Sequence, residues 1–193
     1  MKNDFNIWDG VLFKYYGTDT SVIIPDNVTN IDDRVFYYSS LTSIVIPDRA
    51  RRIGDLAFAH CTSLTSITIP DSVTIIGDMA FYGCSNLKTY QNRFFKATNG
   101  DMQCKGFQYE LGKTYKTDKA ELCKCGFHAC RSPLDIFNYY HGEIGKDVRM
   151  FEVELKGATN EITDDSKRVG TEITFLRELT ISELAELASE VED

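Results

Sequence analysis

Residues 66–88 read SITIPDSVTIIGDMAFYGCSNLK, and they nearly repeat residues 43–65, SIVIPDRARRIGDLAFAHCTSLT. A looser copy precedes both at residues 21–42, SVIIPDNVTNIDDRVFYYSSLT. Pro25, Pro47 and Pro70 mark the period, as do Phe36, Phe58 and Phe81, at spacings of 22 and 23 residues. A fixed period of this size is the mark of a solenoid, in which each copy buries its apolar face only against its neighbours. From about Tyr90 onward the repeat stops, because Asn92 stands where the next buried isoleucine is due. The expected division is therefore residues 1–89 as a solenoid with its N-terminal cap, and residues 90–193 as an α+β domain.

Within each copy the phrase L-x-x-I-x-I-P (Leu41, Ile44, Ile46, Pro47; Leu64, Ile67, Ile69, Pro70) predicts one short strand with alternate residues buried. Proline cannot donate to a ladder and ends it, and Asp26, Asp48 and Asp71 suit the turn that follows. The phrase I-G-D-x-A-F comes next. Its glycines, Gly54 and Gly77, are read as allowing a tight bend, and its phenylalanines as filling the space between coils. Copy one departs from this, with Asp32 for the glycine, Val35 for the alanine and one residue fewer before Leu41. Cys61 and Cys84 share a repeat position and are expected to stack inside the coil.

These words resemble the BspA-type leucine-rich repeats over roughly residues 10–90. The resemblance implies parallel strands stacked into a short coil of about three turns. GVLFKYYGTDTSVIIP is similar to that family's opening cap, and the far end then needs a cover from the second half. Solenoids of this kind bind more often than they catalyse, so another protein is the expected partner.

Composition narrows the rest. With 42% hydrophobic residues among 193 and no long apolar run, a soluble chain without a membrane span is expected. The start MKNDFNIWDGVLFKYYG lacks the apolar core of a signal peptide, which predicts a cytosolic protein whose six cysteines are thiols or metal ligands. A net charge of −8 argues against general nucleic-acid binding, which needs basic surface.

Two candidate contact sites stand out in the repeats. Arg49, Arg51 and Arg52 replace Asn27, Thr29 and Asn30 of the first copy, and three arginines on an acidic protein suit a partner carboxylate. The alternative is a solvated turn. Tyr37, Tyr38, His60 and Tyr82 fall beside the repeated phenylalanine, where they suit either an interface anchor or packing between coils.

In the second half, strands are expected through Cys104, Phe107 and Tyr109, over GFHAC (residues 126–130), over residues 148–156 and over residues 172–179. Phe151, Val153 and Leu155 then share one strand face. Ser132-Pro133 predicts the start of a helix, with Ser132 as its cap. Thr180 and Glu183 form a capping box for a last helix. DMQCKGFQYELGKTY, LCKCGFHACRSPLDIFNYY and DDSKRVGTEIT resemble an uncharacterised domain that recurs in phage and mobile-element proteins. That implies a genomic context, and with it an inhibitor of a host defence or regulatory protein.

Cys104, Cys123, Cys125, His128 and Cys130 are candidate zinc ligands. Their C-x-C-x₂-H-x-C spacing is tighter than the usual paired motif, so packed thiols are the competing reading. The layout around GFHAC also resembles, in outline, ADP-ribosyltransferase-like folds. The resemblance would give roles to His128, to Tyr109 or Tyr139, and to Glu154 or Glu178. No nucleophile elbow, phosphate loop or metalloprotease helix is present. A third reading makes the repeats a spacer or oligomerisation unit.

Overall fold

The computed structural model describes residues 4–89, 93–121, 126–158 and 166–189. The hairpin β1 (Phe5–Trp8) and β2 (Val11–Tyr15) opens the chain. Its turn at Asp9-Gly10 has both φ angles positive, the geometry of a two-residue hairpin loop. Each of the three coils then carries two strands. The first ladder is β3 (Ser21–Ile23), β5 (Ser43–Val45) and β7 (Ser66–Thr68), all parallel. The second is β4 (Asn30–Ile31), β6 (Arg52–Ile53) and β8 (Ile75–Ile76), also parallel, with β2 pairing β4 at its open end. One strand per copy is the sequence expectation. The second ladder is missed because two-residue strands leave no alternation to detect.

A third side has no strands, yet it is hydrogen-bonded from coil to coil. Phe36 N–H donates to Ala57 C=O at 2.8 Å, and Phe58 N–H to Ala80 C=O at 2.9 Å. This side carries the phenylalanine ladder. Phe36 and Phe58 stack at 5.2 Å, and Phe58 and Phe81 at 5.5 Å, with rings nearly parallel. Tyr15 and Phe5 of the hairpin extend the ladder at one end. Cys61 and Cys84 are buried here as expected, and their thiols donate to the carbonyls of Phe36 and Phe58 at 3.0 and 3.2 Å. Burial pushes the Cys61 thiol up to about 11.

Gly54 and Gly77 are not left-handed positions, since neither has a positive φ. A Cβ on Gly54 would lie 2.5 Å from Asp33 Oδ1 and 2.7 Å from the backbone of Asp32. The glycine is therefore set by how closely the coils approach. In that gap the aspartates form their own ladder, the Asp55 N–H donating to Asp33 Oδ1 at 2.8 Å and the Asp78 N–H to Asp55 Oδ1 at 2.9 Å. Left-handed residues follow these aspartates, Arg34, Leu56 and Met79, one per coil, and a second set lies four residues on at Tyr38, His60 and Gly83.

The second half is built on an antiparallel sheet. Its strands are β9 (Phe94–Thr98), β12 (Thr114–Lys116), β13 (Phe127–Cys130), β15 (Arg149–Lys156), β16 (Lys167–Gly170) and β17 (Glu172–Leu179), in the spatial order β12-β17-β15-β9-β13-β16. Between them lie the short hairpin β10 (Gln103–Cys104) and β11 (Phe107–Gln108), the strand β14 (Gly142–Glu143), a 3-10 helix Pro133–Asn138 and the helix α1 (Ile181–Ser189). The single strand expected through Cys104 to Tyr109 is that hairpin, turned at Lys105-Gly106 with both φ angles positive.

Phe151, Val153 and Leu155 do share one face, in a cluster with Ile173 and Phe175. Phe95, Ala97 and Met150 point the other way, into the core shared with the solenoid. The capping box of α1 forms, Thr180 N–H donating to Glu183 Oε2 at 2.8 Å. Ser132 makes no side-chain cap. Its N–H instead donates to Ser166 Oγ, whose hydroxyl reaches Asp135, so Ser166 secures the start of that helix.

Each side of the last coil is covered by a different element of the second half. The first side meets α1, where Ser189 Oγ accepts from Ile67 N–H at 2.9 Å. The second meets β14, which pairs antiparallel with β8. The third meets the 3-10 helix, where Phe137 C=O accepts from Met79 N–H and the Phe137 ring lies 6.3 Å from Phe81. Asp71 accepts from the Ser182 N–H and hydroxyl at the start of α1. Partial burial opposes its charge, but those hydrogen bonds hold its carboxyl below the usual range.

Candidate functional site

The four aromatic candidates of the repeats form one contiguous surface. Tyr38 stacks on His60 at 4.6 Å with rings 14° apart, Tyr37 meets Tyr38 edge-on at 4.6 Å, and Tyr82 meets His60 edge-on at 5.3 Å. Tyr38 is 66% exposed and Tyr37 40% exposed. Gly83 occupies the next coil's equivalent of Tyr38 and His60, and a Cβ there would meet His60 Nδ1 at 2.7 Å. The imidazole thus lies over bare backbone on one side and under a tyrosine on the other. The left-handed φ of Tyr38 and His60 turns both side chains outward from a buried alanine–phenylalanine layer.

The three arginines, at the turn between the two strand ladders, divide by role. Arg51 Nη1 donates to the carbonyls of Asp48, Ala50 and Ser72, and so ties its own turn to the next coil. Arg52 pairs with Asp33 of the preceding coil at 3.3 Å. Arg49 is exposed and makes no ion pair among the described residues. The turn therefore offers one uncommitted charge.

In the second half, Cys104, His128 and Cys130 line one cavity of about 730 Å³, together with Tyr109 and Tyr139. Glu154 and Glu178 do not line it. They lie on β15 and β17, where Glu154 pairs with Lys156 and Glu178 with Arg149. Cys123 and Cys125 lie outside the described residues, among which no group of three or more His, Cys, Asp or Glu side chains is gathered to hold a metal ion.

A residue that sequence reasoning missed also lines this cavity. Lys96, on the middle strand β9, is 5% exposed, and its Nζ donates to His128 C=O at 2.9 Å and lies 3.7 Å from Cys104 Sγ. Tyr140 donates its hydroxyl to the same sulfur at 2.6 Å. Burial lowers the Lys96 ammonium below its usual range, opposed in part by Cys104. Burial first, then the charges of Lys96, Lys167 and Lys105, holds the His128 imidazole down to about 4. The available signal was one lysine inside FFKAT, a run otherwise fit for a fully buried strand.

Comparison with known proteins agrees with the two-part architecture. Residues 10–98 match the BspA type leucine rich repeat region, and residues 92–187 match a domain of unknown function, DUF7666. Among solved structures, the leucine rich repeat protein of T. pallidum is 29% identical, with a TM-score of 0.39, over 39% of this chain and 38% of that one. A leucine rich cell surface protein from Faecalibacterium prausnitzii A2-165 is 40% identical, with a TM-score of 0.37, over 39% of this chain and 24% of that one. The chain thus spans well under half the length of either. No curated protein matches it. No described helix is long and apolar enough to cross a membrane.

Proposed function

We propose that this chain is a protein-binding module whose contact surface is the aromatic edge of the solenoid. The observation that carries this reading is the stack of Tyr37, Tyr38, His60 and Tyr82, with Tyr38 and Tyr37 left open to solvent. Tyrosines held on a rigid scaffold give up little side-chain entropy on binding and offer both apolar area and a hydroxyl. The leucine-rich-repeat match supports the same reading, since such repeats present extended surfaces for recognition.

Arg49 is the second candidate anchor, and it is the arginine to test. Replacing Arg51 or Arg52 disturbs contacts between coils and confounds binding with stability. The finer reading is a phage- or mobile-element-encoded inhibitor that acts on a host defence or regulatory protein in the cytosol. It follows from the resemblance of the second half, and the identity of the captured protein tests it.

The experiment is affinity capture with the full chain, comparing wild type with Tyr38→Ala, His60→Ala and Arg49→Ser at matched melting temperature. A stoichiometric partner lost from the Tyr38→Ala and His60→Ala variants is the expected result. A partner retained equally by all variants sinks the aromatic edge as the contact site. A defined homo-oligomer with no partner favours the spacer reading instead.

A further inference from the structure

The cavity of the second half is basic in a protein whose net charge is −8. Lys96, Lys105 and Lys167 line it, and none of the three has a carboxylate partner among the described residues. Lys116, also in the lining, is already paired with Glu172 at 2.8 Å. Among the described residues, no aspartate or glutamate lines the cavity. Elsewhere in this half Arg93, Lys113, Lys146, Arg149, Lys156 and Arg177 all have carboxylate partners. Lys119, Arg131 and Arg168 likewise have no carboxylate partner among the described residues but stand outside the lining, whereas Lys96, Lys105 and Lys167 meet at one concave place. All three line it together with His128, and the charge of each acts on that imidazole. The Cys104 sulfur, which accepts from Lys96 and Tyr140, can offset at most one of three positive charges. Like charges held together in a partly dry cavity call for an anion.

The lining also carries exposed aromatic rings. Phe107, from the β10–β11 hairpin, is 44% exposed, and Tyr139, after the 3-10 helix, is 41% exposed with Lys167 Nζ 4.0 Å from its ring centre. Large rings left this open beside an anion-seeking cluster suit a ligand that is flat at one end and charged at the other. We propose that this cavity binds a nucleotide, with its phosphate on Lys96, Lys105 and Lys167 and its base against Phe107 and Tyr139. The cavity's 730 Å³ lies within the range of small-molecule sites, about 300–1,000 Å³. The site is independent of the solenoid surface, so each fails or stands alone.

The test is calorimetric titration of the full chain, in phosphate-free low-salt buffer, with the four ribonucleoside monophosphates. Adenosine and inorganic phosphate serve as half-ligands. The expected result is saturable binding of at least one monophosphate, with both half-ligands weaker by about tenfold or more, the cost of a lost charge-assisted hydrogen bond. Lys105→Glu and Lys167→Glu should each weaken it by a similar factor at unchanged melting temperature, while Tyr38→Ala keeps full affinity. Lys96→Met should act likewise, and if that variant melts early the two surface variants decide. No saturable heat with any monophosphate overturns the proposal. So does phosphate binding as tightly as the nucleotide, or lysine variants that bind as well as wild type.

Discussion

His128 shows how a single position is set by what the fold brings to it. In the sequence it is one imidazole in a cysteine-rich stretch. In the folded chain it is half-buried, and Lys96, Lys167 and Lys105, from three separate segments, act on it. Its protonated form is disfavoured both by lost hydration and by like charge, which leaves the ring neutral with a titration point of about 4. The folded value lies below the unfolded one, about 6.5. Between these two values the unfolded chain binds the extra proton. Its contribution to stability is therefore complete above about pH 6.5 and declines as pH falls toward about 4. Proton NMR of the His128 ring should report a midpoint near 4. A midpoint near 6.5 would mean that neither burial nor the lysine charges act on the ring as the fold places them. Gly54 makes the same point through space instead of charge, since its role comes from a backbone 22 residues earlier in the period.

Among the elements, the phenylalanine ladder joins all three coils to both caps. Phe58 is fully buried between parallel neighbours at 5.2 and 5.5 Å, so its removal leaves a cavity that neither adjacent ring can fill without moving. Phe58→Ala should cost about 3–5 kcal/mol, measured by chemical denaturation, the usual range for truncating a buried aromatic. A loss below about 1 kcal/mol, less than most core truncations show, would mean that the coils collapse around the gap. The stack of exposed Tyr38 on half-buried His60 lies on the same side of the coil, outside the buried core. Substitutions there should therefore read out on binding with the melting temperature unchanged. On the sheet of the second half, Glu152 has an analogous joining role, taking Arg93 at 2.8 Å and Arg177 at 2.9 Å. Burial works against its charge, and the two guanidiniums more than offset this, holding its carboxyl below the usual range.

At the scale of the molecule, the two halves share one apolar core. It runs from Leu12 in the N-terminal hairpin through the phenylalanine ladder to Phe137, Leu184 and Ala188. All three sides of the last coil end on elements of the second half, so neither half has a finished surface without the other. Thermal or denaturant unfolding should accordingly be a single cooperative transition, with tryptophan fluorescence from Trp8 and far-ultraviolet circular dichroism changing together. Two separated transitions would mean that the halves are independent domains joined end to end.

The repeats by themselves determine the solenoid, its three coils, the burial of Cys61 and Cys84 and the need for a cover at the far end. All of these follow from a spacing that repeats within a few dozen residues, where local periodicity and burial speak for each other. The capping box of α1 and the shared face of Phe151, Val153 and Leu155 are local in the same way. Tertiary structure alone decides which element covers which side of the last coil, because β14, the 3-10 helix and α1 reach it from far along the chain. It alone sorts the three arginines, since Arg51 reaches Ser72 and Arg52 reaches Asp33, each one coil away. It also builds the basic cavity. Lys96, Lys105 and Lys167 belong to a central strand, a hairpin turn and an edge strand, with no shared motif or spacing, and the sheet brings their charges together.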